Sequence, residues 1–297
     1  TFGIPGVEEN ALQMKDLHQA RAIRNRLLQT YEDVETGTKP KEAMRVVVVG
    51  GGPTGVEVSG AIAELQKSMT REFPAISKHA SVTLVEAGPR LLPSFSEKSS
   101  ENAKQDLEEL GVNVKVDSAV DRMYPSDVHL KSGEVLPAGT IIWAAGVAAP
   151  SEWKVLGEID RSNRLMVSET LRLRPNVWVL GDLAHVVGEG ARPLPMVASV
   201  AMQQGRYVAK SIEKLLKGQE PTAFTYKDKG QMATIGRRRA VVELPNGLRL
   251  RGTLAWLVWL GLHVFYLAGG RNRISVLADW FWNYISWGIG PKRPVID

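Results

Sequence analysis

A run of four valines that ends in a glycine-rich turn constrains the fold of this chain more than any other feature. The residues from Val46 to Val49 are apolar and β-branched, as expected of a strand buried on both faces of a parallel sheet. The next six residues match G-x-G-x-x-G at Gly50, Gly52 and Gly55, and a helix is predicted after them. Between a strand and a helix, this pattern indicates a βαβ unit whose helix N-terminus binds the phosphates of a dinucleotide.

Each glycine of the turn has its own task, and an acidic residue follows on the next strand. The first glycine permits the tight turn, the second lets the backbone approach a pyrophosphate, and the third lets the helix pack closely. Glu86 closes the next predicted strand, where a carboxylate accepts from ribose hydroxyls and repels a 2′-phosphate, so NADH is favoured. Arg90 leaves some tolerance of NADPH, and the alternative for Glu86 is a solvated strand end.

Strands and helices alternate at the spacing of a doubly wound parallel sheet. Helices are predicted at about 12–31, 55–67, 97–110 and 195–216, and strands at 45–49, 81–86, 112–116, 140–144 and 177–180. The polar stretch 35–41 is predicted to be a linker.

Five segments together resemble a known family. Residues 46–57 with Trp-Ala-Ala-Gly at 143–146 resemble the NADH domain of flavoproteins of the glutathione-reductase superfamily. Val-Trp-Val-Leu-Gly-Asp at 177–182 is similar to the second FAD fingerprint of those enzymes. The opening 1–7 and the segment 232–240 resemble type II NADH:quinone dehydrogenase, the single-subunit respiratory enzyme that does not pump protons.

The resemblance implies a two-step reaction with NAD and FAD as cofactors. NADH would give a hydride to FAD, and the reduced flavin would pass two electrons to a quinone. Gly146, Gly181 and Asp182 would bind the cofactors, and Asp182 would accept from the flavin's hydroxyl groups; a helix N-cap is the alternative for Asp182. Glu57 would deliver a proton to the quinone, with complementation of the helix dipole as its alternative.

The family's quinone-site pattern, A-Q-x-A-x-Q, is altered in this chain. It reads Ala-Ser-Val-Ala-Met-Gln at 198–203, so Ser199 replaces the first glutamine and Gln203 remains. Gln203 is expected to bond a quinone carbonyl, or else to be an ordinary helix-surface glutamine, and Lys229 is a further candidate for the same tunnel. The lone histidines His185 and His263 lack ligand spacing, so they are expected to be structural and no metal site is predicted.

The resemblance also sets the expected domain organisation. In the family a first FAD-binding βαβ precedes the segment that begins here at Thr1, and this sequence lacks it. We therefore expect an α/β protein in which a doubly wound parallel-sheet NADH domain is inserted in a partial FAD domain, before a C-terminal membrane-associating helical region. The predicted boundaries are 1–40 for a remnant of the FAD domain with a linker helix, 41–150 for the NADH domain, 151–220 for the second part of the FAD domain and 221–297 for the quinone-site and membrane-anchoring region.

The end of the chain is basic and rich in tryptophan. From Pro221 onward, eleven basic residues stand against four acidic ones, although the whole chain carries a net charge of only +5. Residues 252–270 carry no formal charge, and two helices, at 252–270 and 276–287, are expected to lie in a membrane interface. The tryptophans of this region are Trp256, Trp259, Trp280, Trp282 and Trp287. A peripheral enzyme on the cytoplasmic face of the cell membrane is expected, or on the mitochondrial inner membrane in a eukaryote.

Two other functions stay open on the sequence alone. One is a soluble NAD(P)H-dependent flavoprotein disulfide reductase, since the chain has no cysteine but that class can carry its cysteines upstream. The other is a truncated, FAD-free NADH-binding protein. Nucleic acid is not an expected partner, because the triplet Arg237-Arg238-Arg239 comes without a recognisable nucleic-acid module, whereas a homodimer stays open.

Overall fold

The computed structural model describes residues 1–188 and 192–285, which group into two compact units. One unit combines Thr1–Ala145 with the chain from Gly230 onward, and the other is Gly146–Lys229. The four-part division by function is a different partition, and it stays a prediction. The helices are α1 (Val7–Asn10), α2 (Leu17–Glu35), α3 (Pro53–Met69), α4 (Glu97–Glu109), α5 (Ala198–Leu216), α6 (Gly252–Tyr266) and α7 (Gly270–Ile285). The strands are β1 (Ala11–Gln13), β2 (Arg45–Val49), β3 (Ser81–Val85), β4 (Val112–Lys115), β5 (Val120–Tyr124), β6 (Asp127–Leu130), β7 (Val135–Pro137), β8 (Thr140–Trp143), β9 (Leu165–Met166), β10 (Arg172–Arg174), β11 (Val177–Trp178), β12 (Ala184–His185), β13 (Gln231–Gly236), β14 (Arg239–Glu243) and β15 (Arg249–Arg251).

A five-stranded parallel sheet forms the centre of the first unit, in the order β1-β8-β2-β3-β4. The four-valine strand β2 lies in its middle, and its side chains alternate between two apolar layers. Val46 and Val48 belong to one layer, and Val47 and Val49 belong to the other. Burial on both faces explains why this strand has no alternating polar positions. The predicted α/β class with a parallel sheet is confirmed.

The two faces of this sheet are covered differently. Helices α2, α3 and α4 cover one face, where Ile23, Val56 and Leu107 join the apolar layer. The other face is covered by the antiparallel sheet β5-β6-β7, which contributes Met123 and Val128. The glycine-rich turn between β2 and α3 therefore rests on a core that is packed from both sides.

The prediction of a helix from about Leu12 is wrong for residues 12–16. Leu12 lies in β1, which pairs in parallel with β8 and places Ala11 opposite Ile141. The helix α2 begins only at Leu17, after Asp16 caps it by accepting a hydrogen bond from Gln19 N at 2.8 Å. The strand has three residues and no β-branched side chain, so its pairing with a distant strand decides its conformation.

The second unit arranges short strands against the long helix α5. Its core contains Leu165, Leu171, Val179 and Val208. Strand β11 is shorter than the predicted 177–180, because Leu180 leads directly into a 3-10 helix at Gly181–Leu183. Helix α5 begins at Ala198 rather than at 195.

The C-terminal part of the first unit is an antiparallel sheet followed by two helices. The sheet has the order β13-β14-β15, and Ala255 of α6 packs against β14 beside Ala240 and Val242. Helix α6 ends at Tyr266 and α7 begins at Gly270, earlier than the predicted 276. The predicted end of that second helix, with Trp287, lies outside the described residues. No helix within 1–188 and 192–285 has the length and apolarity needed to cross a bilayer.

Candidate functional site

The turn after β2 requires glycine at two positions. Gly50 has φ +115°, and a Cβ added there would lie 2.7 Å from the Cα of Ala145. A Cβ on Gly55 would lie 1.7 Å from the carbonyl oxygen of Gly50. The first glycine thus permits the turn, and the third lets α3 approach the backbone where β2 ends, as the sequence predicts.

The middle glycine of the motif borders open space. Gly52 is the N-cap of α3, with φ −71° and ψ −179°, and a Cβ there would meet nothing within 4 Å. A helix N-terminus carries N–H groups without intrahelical acceptors and a partial positive charge. The corner formed by this turn and the N-terminus of α3 therefore fits a diphosphate, because its backbone donors lie beside a position where an added Cβ meets no neighbouring atom.

Glu86 is held beside this turn by two backbone amides. Its Oε2 accepts from Gly51 N and its Oε1 accepts from Gly88 N, each at 2.6 Å. The carboxylate is thus fixed at the carboxyl end of β3, and each oxygen keeps capacity for a further donor such as a ribose hydroxyl. The Arg90 guanidinium donates to the carbonyl of Phe95 at 2.7 Å, so it is engaged with the following loop.

Glu57 lies on the face of α3 that carries the C-terminal sheet. Its Oε1 accepts from Thr234 N of β13 at 3.1 Å. Burial raises the pKa of Glu57, and the hydrogen bond from Thr234 partly offsets this rise. Two turns later, Glu64 Oε1 accepts from Arg237 N at 2.6 Å, so two carboxylates of α3 bind backbone amides of the β13 region.

In the second unit, the predicted flavin-binding aspartate lies in a 3-10 turn. Gly181 has φ +68°, a left-handed conformation that favours glycine. Its N–H donates to Gln204 Oε1 at 2.6 Å. The next residue, Asp182, has an exposed carboxylate. This turn fits a polyhydroxylated ligand, because it presents a carboxylate acceptor on a backbone that α5 holds in place.

Gln204 is a site residue that the sequence analysis misses. It is 1% exposed, and within the described ranges its Nε2 has no hydrogen-bond acceptor. A buried donor without a partner is costly, so it indicates a position that a ligand can complete. Helical periodicity could have found it, since Val200 and Val208 mark a buried stripe that passes through Gln204.

Two residues of the altered quinone pattern contact the segment at Tyr226 and Lys227 of the same unit. The Gln203 amide binds both backbone groups of Lys227: Nε2 donates to O at 2.9 Å, and Oε1 accepts from N at 3.1 Å. The Ser199 hydroxyl lies 2.9 Å from the Tyr226 hydroxyl. A quinone carbonyl would compete with Lys227 for the Gln203 amide, so the quinone role stays a prediction. Lys229 has an exposed side chain at the end of this segment.

The two lone histidines have protein partners. His185 Nδ1 lies 2.8 Å from Asp160 Oδ2. Burial alone would raise the pKa of Asp160, but hydrogen bonds from His185 and Arg164 hold it well below its usual value. His263 Nδ1 lies 2.7 Å from the carbonyl oxygen of Trp259, and the His263 ring stacks on the Trp259 ring. These contacts are of the kind expected for structural histidines.

The predicted site residues are thus distributed over both units. The first unit holds the three motif glycines with Glu57 and Glu86, and the second holds the others. Gly146, with φ +73°, is the first residue of the second unit. The members of the second group are Gly146, Gly181, Asp182, Ser199 and Gln203.

Comparison with known protein families gives two matches that together cover most of the chain. Residues 1–205 match the profile of pyridine nucleotide-disulphide oxidoreductases. Residues 229–286 match the profile of the NDH2 C-terminal domain.

Comparison with curated proteins gives relatives of a consistent kind. The chain is 38% identical over 288 residues to a type II NADH:quinone oxidoreductase, NdhA, of Mycobacterium tuberculosis, covering 90% of this chain and 60% of that protein. A second enzyme of that organism, Ndh, is 34% identical, with 96% and 64% covered. An internal alternative NAD(P)H-ubiquinone oxidoreductase of Arabidopsis thaliana is 31% identical, with 94% and 60% covered. The chain therefore spans less than two thirds of the length of these relatives.

Comparison with solved structures supports the fold. NDH2 from Plasmodium falciparum, solved in complex with NADH, superposes with a TM-score of 0.88 at 22% identity. The superposition covers 100% of this chain and 77% of that chain.

Proposed function

Because the chain belongs to the pyridine nucleotide-disulphide oxidoreductase family, within its type II NADH dehydrogenase branch, we propose that it acts as an FAD-dependent NADH:quinone oxidoreductase that does not pump protons. The observation that carries this proposal is the open corner at Gly52, beside the fixed carboxylate of Glu86. That corner suits a dinucleotide without a 2′-phosphate.

The first unit is proposed to bind NADH. The amides at the N-terminus of α3 would take the diphosphate, and Glu86 would accept from the ribose hydroxyls of the adenosine. A 2′-phosphate would meet the charge of Glu86, and Arg90 is engaged with the carbonyl of Phe95. We therefore expect NADH to bind more tightly than NADPH.

The second unit is proposed to bind FAD. Asp182 would accept from flavin hydroxyl groups, and Gly146 and Gly181 would let the backbone approach the cofactor. FAD, when bound, supplies the chemistry that takes a hydride from NADH and gives two electrons to a quinone. Glu57, a carboxyl group whose raised pKa favours the protonated form, would hold the proton that the quinone takes up.

The quinone is proposed to reach the protein from a membrane surface. The names of the curated relatives support quinone as the acceptor, and Ser199, Gln203 and Lys229 remain the candidates for contacting it. Helices α6 and α7 carry exposed apolar side chains, including Ile274 at 71% and Phe281 at 68%. Such residues suit an interface helix that lies in one leaflet, on the cytoplasmic face of a cell membrane or on a mitochondrial inner membrane. A homodimer remains an open part of this proposal.

A second candidate function is an NADH-binding protein that holds no flavin. It would need only the corner at Gly52 and the carboxylate of Glu86, which both lie in the first unit, whereas the candidate flavin turn lies in the second. A soluble disulfide reductase is supported less well, because the C-terminal helices expose large apolar side chains.

An anaerobic NADH titration followed in the visible range tests the proposal. We expect protein-bound flavin absorption to bleach at one equivalent of NADH and to return when a soluble quinone is added. Bleaching without recovery on quinone, but with recovery on a disulfide, would favour the reductase. Colourless protein that binds NADH and takes up no added FAD would favour the flavin-free candidate.

A further inference from the structure

We propose that Gln204 is a positioning residue for the flavin, acting through the turn that carries Asp182. This inference rests on the proposed function and adds to it a residue outside the altered quinone pattern. Gln204 lies on the buried face of α5, in line with Val200 and Val208. A glutamine in such an apolar stripe costs free energy unless its amide group is used, so the turn it contacts is the place to look for its role.

The first argument is the hydrogen bond that Gln204 makes. Its Oε1 accepts from Gly181 N at 2.6 Å, at the residue where the chain takes a left-handed conformation. Ala201, one turn earlier on α5, lies beside the same glycine, since a Cβ added to Gly181 would lie 3.4 Å from the Ala201 Cβ. The helix therefore fixes the backbone of Gly181 by a hydrogen bond, with Ala201 close beside it, and Asp182 follows directly.

The second argument is the other end of the same amide. Within the described part of the chain, Gln204 Nε2 has no acceptor, although the residue is 1% exposed. Bound FAD would bring hydroxyl and phosphate oxygens, which are the kind of partner that this donor lacks. If this position only filled space in the core, an apolar residue of similar shape would stabilise the protein more than glutamine does.

Loss of the acceptor has a defined consequence. Without Gln204 Oε1, the N–H of Gly181 loses its partner, and glycine is the residue type least able to hold its conformation unaided. The carboxylate of Asp182 would then sample several positions, so the flavin would bind less tightly even where the unit stays folded. This loss of flavin affinity differs from a general loss of stability, and matched variants can distinguish the two.

The test is the flavin dissociation constant, measured from flavin fluorescence on dilution of the flavin-loaded protein, together with its thermal midpoint. Gln204→Met keeps the length and helix propensity but removes both hydrogen-bonding atoms, and Gln204→Glu keeps the acceptor. We expect Gln204→Met to weaken flavin binding at least about tenfold, and Gln204→Glu, which keeps the acceptor for Gly181 N but loses the donor, to fall between Gln204→Met and the unchanged protein. Ser211→Ala removes another buried polar group from α5, and we expect it to leave flavin affinity unchanged.

The outcomes separate this inference from the proposed function. If Gln204→Met retains flavin within threefold of the unchanged protein, or if Gln204→Glu is as weak as Gln204→Met, the positioning role is wrong. Should Gln204→Met be insoluble, Gln204→Asn withdraws the acceptor by one methylene and must show the same loss. If the unchanged protein takes up no FAD, the proposed function itself fails, and this inference fails with it.

Discussion

Glu57 is a carboxyl group held where its negative charge is disfavoured. Burial raises its pKa, and the hydrogen bond from Thr234 N only partly offsets that rise. The folded protein therefore holds this proton more tightly than the unfolded chain does. The resulting contribution to stability is fully present below the unfolded pKa of about 4.3 and is lost as pH rises through the folded pKa.

Replacing this residue by glutamine should remove that pH dependence. Glu57→Gln keeps an oxygen that can accept from Thr234 N and carries no charge. We expect the variant and the unchanged protein to have similar free energies of unfolding near pH 4, and the variant to be the more stable at pH 8. Urea unfolding at the two pH values measures the difference. A variant that is less stable by the same amount at both values would show that the charge is not disfavoured.

For single residues, the sequence predicts backbone conformation better than it predicts hydrogen-bond partners. The turn at Gly50 and the close approach at Gly55 follow from a local motif, whereas the pyrophosphate contact of Gly52 stays a prediction. Of two adjacent glutamines, the family pattern pointed to Gln203 and the buried donor belongs to Gln204. Which one is buried depends on how α5 is rotated against the core, and a motif does not encode that rotation.

Helix α3 and strand β13 approach each other more closely than side chains normally allow. A Cβ on Gly60 would lie 1.6 Å from the carbonyl oxygen of Ile235. The backbone of β13 therefore lies directly on the helix, where Glu57 accepts from Thr234 N and Glu64 accepts from Arg237 N, just after the strand. The helix that is proposed to bind the nucleotide therefore also supports the C-terminal sheet.

The close approach predicts opposite effects for two helical glycines. Gly60→Ala must displace backbone, so we expect it to destabilise the protein by about 1–3 kcal/mol or more. Gly261 on α6 is exposed and a Cβ there meets nothing within 4 Å, so Gly261→Ala should stabilise by about 0.5–1 kcal/mol. Free energies of unfolding from urea titration measure both changes. A neutral Gly60→Ala would mean that α3 and β13 are farther apart than described.

Glu243 ties the C-terminal sheet to the N-terminus of α4. Its Oε1 accepts from Ser96 N at 3.0 Å and from Ser99 Oγ at 2.6 Å. Burial alone would raise the pKa of Glu243, but the hydroxyl groups of Ser96 and Ser99 and the Gln231 amide lower it to about 2. A lowered pKa gives stability that is present above the unfolded value of about 4.3 and is lost as pH falls toward the folded one.

Glu243→Gln should therefore lower the free energy of unfolding most at neutral pH. We expect a loss of about 1–3 kcal/mol at pH 7, and a smaller difference at pH 3, where the unchanged protein has itself lost part of the contribution. Chemical denaturation at both pH values provides the measurement. A difference that does not shrink on acidification would contradict the assigned hydrogen bonds to the ionised carboxylate.

At the scale of elements, long and strongly patterned segments are predictable and short ones are not. Strand β2 and helix α4 follow from their own residues, because a buried apolar run and an amphipathic helix are local signals. Strand β1 depends on pairing with β8, and its three residues contain no such signal. The 3-10 turn at Gly181–Leu183 likewise replaces the end of a predicted strand.

At the scale of the whole molecule, the predicted site residues are divided between two units, and the proposed membrane contact lies in one of them. The corner at Gly52 and the C-terminal helices belong to the same unit, and the candidate flavin turn belongs to the other. The sequence predicts this assignment of tasks through its resemblance to a family. It does not predict that the C-terminal sheet packs onto the unit with the parallel sheet, because that packing depends on contacts between distant segments.

The exposed apolar residues of α7 predict binding to lipid vesicles. We expect the double variant Ile274→Glu with Phe281→Glu to lower the vesicle-bound fraction about tenfold or more, because two exposed apolar side chains are replaced by charges. Leu216→Glu is the matched control, since Leu216 is 84% exposed but lies on α5 in the other unit. Cosedimentation with anionic phospholipid vesicles measures the bound fraction. Equal losses for both substitutions would mean that the C-terminal helices are not the binding surface.

The proposed function depends on a dinucleotide diphosphate lying against the open corner at Gly52, and NADH binding to a variant of that residue is the decisive test. Gly52→Val adds a side chain to backbone that L-residues adopt freely, at a position where a Cβ meets no neighbouring atom within 4 Å. We expect the calorimetric affinity for NADH to fall at least about tenfold while the thermal midpoint stays near that of the unchanged protein. Unchanged NADH affinity in a folded Gly52→Val protein would place the dinucleotide elsewhere and rule out this binding site.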